Sequence, residues 1–287
     1  MLIIGDLKLK TENGKRKTEN GKLKKFLYIV LAVVLAGCEV IKEEDRYIRL
    51  PDPETERVHL LLEYTGFRCV NCPTAAQTAD ELHTIYGDKL ITVALHPASN
   101  HWTQGVYDYT CPAADSVYQF MGGVVTTPFP TGNIDWQVTD GSYFTDPATW
   151  AAQLSHLSAD TTLAPALNMT CVANEQKDAI AFTVHFNLTQ EAKLAVWLVE
   201  DSVLGVQAMP DGSVNMEYYH RHMLRHAAFE QPLGIPVSGQ NAINNEIKVP
   251  EGCTINKCSL VAILLDTNYS FLNAYEKKVL ISDSSSD

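Results

Sequence analysis

Apolar and polar positions change rhythm along this chain. The first stretch places Lys22, Lys24 and Lys25 ahead of an apolar run from Phe26 to Ala36, which is too short to span a membrane comfortably. This pattern predicts a secretory leader over residues 1–37. Within it TENGK occurs twice, at Thr11 to Lys15 and Thr18 to Lys22, with no apolar face to bury, so no structure is expected there. From 57 to 160 strand-like and helix-like segments alternate, which predicts an α/β layer structure. Val58 to Tyr64 reads as a strand. Ala75, Ala79, Leu82 and Tyr86 recur at helical spacing, and Leu90 to His96 alternates as a second strand. A helix is predicted from Ala113 to Met121, stopped by Gly122-Gly123, and Gly132 to Val138 is a candidate strand. Asp140-Gly141 supplies a hairpin turn into Ser142 to Thr145. Asp146 can cap a last helix with Pro147 at its first position and Trp150, Leu154 and Leu157 on its apolar face.

From about 164 to 287 the helical period gives way to a period of two. Ile180, Phe182, Val184 and Phe186 alternate with smaller or polar residues, and Leu194 to Val199, Ser259 to Leu265 and Lys278 to Ile281 are further strands. Turn-rich loops separate them, so an all-β sandwich of about seven strands is predicted. The expected organisation is a leader over 1–37, a tether over 38–56, an α/β domain over 57–160 and a β-sandwich domain over 164–287.

Charge narrows the partners. The chain carries 22 basic and 34 acidic residues, and the leader is itself basic, so the part after it is strongly acidic. Nucleic acid is excluded as a natural partner. The segment from Glu39 through Lys42-Glu43-Glu44-Asp45 is a charged tether, read either as a solvated linker or as an acidic export signal.

Cysteine spacing supplies the candidate chemistry. Cys69-Val70-Asn71-Cys72 follows the first strand and opens the first helix, where two thiols can close a disulfide or share a metal. A secreted chain with a single CxxC favours the disulfide. Cys253 and Cys258 flank a short loop between strand-like runs, and a second disulfide is predicted there. Cys111 and Cys171 remain, with a pairing by elimination only. His220, His222 and His226 raise a metal site, but no single regular element aligns all three; a polar strand or loop is the competing reading, and no metal or cofactor is expected. Trp102, Tyr107, Tyr109 and Tyr118 either line a groove near the CxxC or pack inside.

The order of these elements resembles the thioredoxin fold over about 100 residues. That resemblance implies that Cys69 is the attacking thiolate, set at a helix start where backbone amides favour negative charge, and that Cys72 is the resolving thiol. It also implies that Glu63, on the strand before Cys69, is a buried acid serving the second thiol; a surface carboxylate at a strand edge is the alternative. Phe129-Pro130-Thr131 resembles the cis-proline element that docks an extended partner, with Thr127-Pro128 as the alternative. Val70-Asn71 and Arg68 depart from the thioredoxin pattern, so strong reductant activity does not follow.

Leu35-Ala36-Gly37-Cys38 resembles the bacterial lipobox, which implies acylation of Cys38. Together with EYTGFRCVNCP, FPTGNID and the run Tyr218 to Arg225, it resembles the 28-kDa outer-membrane lipoprotein family. This implies a thioredoxin-like domain followed by an immunoglobulin-like sandwich, anchored through lipid in the bacterial outer membrane. Two functions follow as expectations: thiol-disulfide exchange with an envelope protein, or a surface binding or adhesion lipoprotein in which the CxxC disulfide is structural.

Overall fold

The computed structural model describes residues 54–281. The leader, Cys38 and most of the tether lie outside the described residues. Strand β1, His59–Tyr64, is buried at all six positions, as befits a strand covered on both faces. Helix α1, Cys72–Tyr86, follows, with Pro73 in its first turn, where a missing N–H costs nothing. Gly87 ends it at φ +56°. Strand β2, Leu90–Leu95, lies parallel to β1 with Leu62 opposite Val93. Helix α2, Pro112–Phe120, comes next. Strand β3, Thr131–Ile134, then pairs antiparallel with the other edge of β1.

The strand expected from Gly132 to Val138 stops at Ile134, because Asp135 and Trp136 turn to φ of 53° and 55°. Asp135 is held there by His59 Nδ1 at 2.6 Å and the Leu60 N–H at 2.8 Å. Asp140 and Gly141 do form the turn, but only the isolated bridges Thr139 to Ser142 and Gly132 to Thr145 flank it. Asp146 accepts from the Ala148 N–H at 2.9 Å, and a tight 3₁₀ turn over Pro147–Thr149 leads into helix α3, Trp150–Ser158.

Ten further strands of three residues or more follow: β4 Leu167–Ala173, β5 Ala179–Asn187, β6 Ala192–Glu200, β7 Val203–Ala208, β8 Val214–His220, β9 Met223–Ala227, β10 Ile235–Val237, β11 Gln240–Lys248, β12 Cys258–Asp266 and β13 Phe271–Lys278. Alternation along β4 is complete, with Leu167, Met169, Cys171 and Ala173 buried between exposed neighbours. Strands β11, β5 and β4 make one sheet, extended by Leu280–Ile281, and β7 with β8 makes a separate hairpin.

The two halves expected to part near residue 160 share a sheet. Its order is β13-β12-β6-β9-β2-β1-β3, with β10 also on β6, eight strands in all. The described residues form one compact unit. The seam is β9, which runs antiparallel to β6 and meets β2 in parallel through Met223 and Ala94. The Ala94 N–H donates to His222 O at 2.7 Å across that seam. His222 itself sits at φ 51°, the backbone reversal that lets β9 leave the end of β8.

One face of the large sheet carries a core from end to end, from Leu60, Leu62 and Val93 through Trp197 and Leu224 to Ile263, covered in part by α2. The opposite face is covered by two different layers. Helices α1 and α3 pack on Leu61, Leu90 and Ile134, while the β4 and β5 sheet packs on Leu194, Val196, Leu198, Leu260 and Leu264. The protein is therefore mostly β, with a small helical N-terminal portion. At Gly132 a Cβ would lie 2.8 Å from Leu62 O and 2.5 Å from the Trp150 ring, so the strand that approaches them has no side chain there. No helix among the described residues is long and apolar enough to cross a membrane.

Leu198, fully buried on central strand β6, tests the shared sheet. Leu198→Ala is expected to cost about 2–5 kcal/mol. Hydrogen exchange should show the same loss of protection in β1 as in β12. Unchanged protection in β1 would mean that the halves open separately.

Candidate functional site

Beyond Tyr64 the chain turns sharply at the end of the sheet. Thr65 N–H donates to Leu95 O, and Gly66 lets the turn press against the Trp102 carbonyl, which a Cβ would approach to 2.6 Å. Cys69 N–H bonds back to Gly66 O at 3.0 Å, Cys72 N–H donates to Cys69 O at 3.3 Å, and α1 begins at Cys72. Cys69 and Cys72 are joined by a disulfide, their Cα atoms 5.4 Å apart. Each is only 1% exposed, whereas Arg68, Val70 and Asn71 face solvent. Arg68 is turned toward Gln104 O at 3.2 Å, and so exposed a cation contributes little to the disulfide.

Two segments cover the sulfurs. Trp102 O accepts from the Arg68 N–H at 3.1 Å, which ties down the insertion between β2 and α2. From the other side the β7–β8 hairpin bonds to the turn itself. Ala208 N–H donates to Phe67 O at 2.8 Å, and the buried Gln207 amide donates to Cys69 O at 2.9 Å and Gly66 O at 3.3 Å. No pattern or motif in the sequence singled out Gln207; its role arises from a contact across 138 residues.

The insertion's aromatics pack rather than line an open groove. Tyr109 Oη accepts from the Val206 N–H at 2.7 Å, and the Tyr107 and Tyr109 rings lie edge-on to Phe67. Tyr118 is fully buried, donating to Val124 O and accepting from the Asn100 amide.

Beside Cys72 is a small, partly open cavity of about 20 Å³, lined among others by Cys72, Glu63, His96, Gln207, Tyr218 and His220. Glu63 is flanked on both sides, by Ala94 on β2 and Gly132 on the edge strand β3, so it is not at the sheet edge, and it is 3% exposed. Its Oε1 has no hydrogen-bond partner among the described residues. Burial, with a smaller contribution from the Asp80 charge, pushes its pKa up to about 8. His96 is buried with both ring nitrogens unpartnered, and burial first, then His220 and Arg225, holds its pKa well below the usual value. His220 packs its ring 5.5 Å from that of His96 and donates from Nε2 to Val206 O at 3.3 Å, and burial lowers it to about 4.

The remaining candidates divide. The Phe129–Pro130 bond is cis, and the pairing of Thr131 with Tyr64 puts Pro130 at the sheet end from which the CxxC turn departs. His220, His222 and His226 do not converge: His220 faces the cavity, His222 lies 3.8 Å from Asp80, and His226 is half-buried on β9.

The predicted Cys253 to Cys258 disulfide is not formed, and both are free thiols. Cys258 opens β12 with its side chain in the core and Sγ directed at Thr254 O, while Cys253 stays half-buried beside Glu200 and Arg225. Cys111 and Cys171 are not paired either, because they belong to cores on opposite faces of the large sheet.

Comparison with known proteins places this geometry in context. The family model described as outer membrane protein Omp28 matches residues 118–282. HBP35 of Porphyromonas gingivalis has a similar structure, with a TM-score of 0.65 at 14% identity, over 82% of this chain and 80% of its own. A protein of Agrobacterium tumefaciens reaches a TM-score of 0.50 at 12% identity, over 81% and 98%. At such identities the likeness is one of fold alone. No curated protein matches the sequence.

Glu63 makes stability depend on pH with a definite sign. Its raised pKa means that the folded chain keeps a proton that the unfolded chain releases above 4.5, so stability is lost as pH rises from there toward about 8. His96 and His220 act oppositely, costing stability as pH falls below 6.5. The difference between Glu63→Gln and the parent isolates the carboxyl. In urea unfolding the variant should gain several kcal/mol relative to the parent between about pH 5 and about pH 9. Parallel stability curves would remove the buried, protonated Glu63.

Proposed function

The chain belongs to the Omp28 outer membrane protein family, and from that membership we propose a lipid-anchored envelope protein that exchanges disulfides with a partner protein through Cys69 and Cys72. The observation that carries this reading is the carboxyl of Glu63, buried beside Cys72 with one oxygen unpartnered. A disulfide that only braces the fold has no use for such a group, and burying it costs free energy.

In the proposed reaction a partner thiolate attacks Cys69 Sγ, the Cys69–Cys72 bond breaks, and Cys72 leaves with the electron pair. Glu63, protonated at neutral pH, supplies the proton that Cys72 takes up. A second partner thiolate then attacks the partner's own sulfur in the mixed disulfide and expels Cys69 as a thiolate at the start of α1, where the helix dipole favours it. The partner dithiol ends oxidised and the CxxC pair reduced. Pro130 would dock the partner's extended backbone. The succession β1, α1, β2, α2, β3, α3, with the CxxC at the start of α1, supports the thioredoxin-like reading of this half. Acylation of Cys38, implied by its lipobox-like context, would supply the anchor.

A second reading has its own observation. Both sulfurs are 1% exposed beneath the hairpin and the insertion, which favours a binding lipoprotein whose disulfide is structural. Exchange requires that this cover open.

The reduction potential decides between them. Alkylation and intact mass across thiol buffers should place the pair within roughly −120 to −270 mV, the span of exchange proteins. Cys72→Ser should accumulate mixed disulfides through Cys69 in cells. A potential below about −300 mV, with no trapped partner, would establish the structural reading instead.

A further inference from the structure

The cavity beside Cys72 is built from both halves of the molecule. Glu63 comes from β1 and His96 from the end of β2, while Gln207, Tyr218 and His220 come from the hairpin after β6. At about 20 Å³ it has room for a single water, and a buried water needs two to four polar partners. Polar atoms are available: Glu63 Oε1 and both nitrogens of His96 have no partner among the described residues. Such orphaned groups are rare in a well-packed interior and call for a reason.

We propose that His96, through one water in this cavity, is the hydrogen-bond donor that receives the negative charge when Glu63 gives its proton to Cys72, while His220, whose N–H is taken by Val206 O, can offer that water only an acceptor nitrogen. The inference rests on the exchange reading and makes His96 a positioning residue for it. In the resting disulfide state the site is neutral, with Glu63 protonated and both imidazoles uncharged. When Cys72 departs as a thiolate, the Glu63 O–H proton passes to its sulfur and a carboxylate remains. Isolated in that cavity the carboxylate would be costly, and N–H groups turned toward it lower the cost. An uncharged imidazole suits this task because it donates a hydrogen bond without adding a buried cation to the resting state.

Other charges around the site set its background. From α1, Asp80 opposes ionisation of Glu63. Arg221 bonds to Asp80 at 2.8 Å, which partly neutralises it, and Arg225 on β9 acts on His96. The Tyr218 hydroxyl is kept protonated by burial and by Glu63, so it is a further donor. His220 is also braced by the Tyr109 ring 4.8 Å away and by its bond to Val206 O. The hairpin thus does more than cover the disulfide, because it brings His220 to the cavity.

The test uses the oxidised full chain and needs no exchange reaction. The carboxylic acid infrared band that Glu63→Gln removes is followed with pH in the parent and in His96→Phe. Loss of the donor should raise the Glu63 midpoint by about one pH unit, a tenfold weaker acid. An unchanged midpoint in a folded variant overturns the proposal. Should His96→Phe not fold, the histidine ring ¹⁵N signals of the parent serve instead. A His96 signal that moves as Glu63 ionises, with the ring staying neutral, supports the coupling, and a flat His96 signal refutes it. A flat titration with an exchange-active disulfide sinks the donor role alone. A coupled titration with an inert disulfide sinks the exchange reading and leaves the donor cluster standing.

Discussion

Backbone pairing of β9 with β2 on one side and β6 on the other holds the helical half and the β half in one sheet. The contact with β2 is narrow, a single residue pair and the bond from Ala94 to the His222 carbonyl, yet the rest of the architecture depends on it. It lets one apolar face run from Leu60 to Ile263, so the two halves share a core. It also fixes where the β7–β8 hairpin lands, since that hairpin ends at the reversal into β9. Without the seam, Gln207 and His220 would have no defined place beside the CxxC turn.

That placement gives the disulfide an environment that a small α/β unit alone does not have. The Cys69 carbonyl is held by a side chain from the β half, and the space beside Cys72 is lined by histidines from both halves. Each buried polar group there carries a desolvation cost that apolar packing would avoid. A fold tolerates such costs at sites that act, and the unpartnered Glu63 oxygen and His96 nitrogens at the cavity beside Cys72 are the physical basis of the functional reading.

Much of the fold was legible. Alternation marked β5 and helical spacing marked α1, because each buries one face and writes that face into its own period, while β6 and β12, buried on both faces, showed as apolar runs within a residue or two and α2 showed by the glycines that stop it. Other elements escaped. Strands β7 and β8 carry exposed Leu204, Val214, Met216 and Tyr219, β8 buries only His220 and β7 buries the consecutive Gly205, Val206 and Gln207, so their sequence has no half-buried alternation to read. The end of β3 was misjudged because Asp135 is drawn into a bond with His59, a partner 76 residues away. The disulfide expected at Cys253 and Cys258 followed from spacing, but the direction of β12 turns Cys258 into the core.

The sequence by itself determined what is local: the CxxC at a strand-to-helix turn, the acid on the preceding strand, the proline ahead of β3, and the change from helical to alternating rhythm near residue 160. These rest on spacing and backbone propensity, which act between near neighbours. Tertiary structure alone decided that the two halves share a sheet, that both sulfurs are covered, that Gln207 holds the Cys69 carbonyl, and that His96 and His220 line one cavity with Glu63. Those facts depend on strand pairing and burial between residues far apart in the chain, 138 positions for Gln207 and Cys69. No periodicity encodes such pairings, because any polar residue reads the same until a fold takes water away from it.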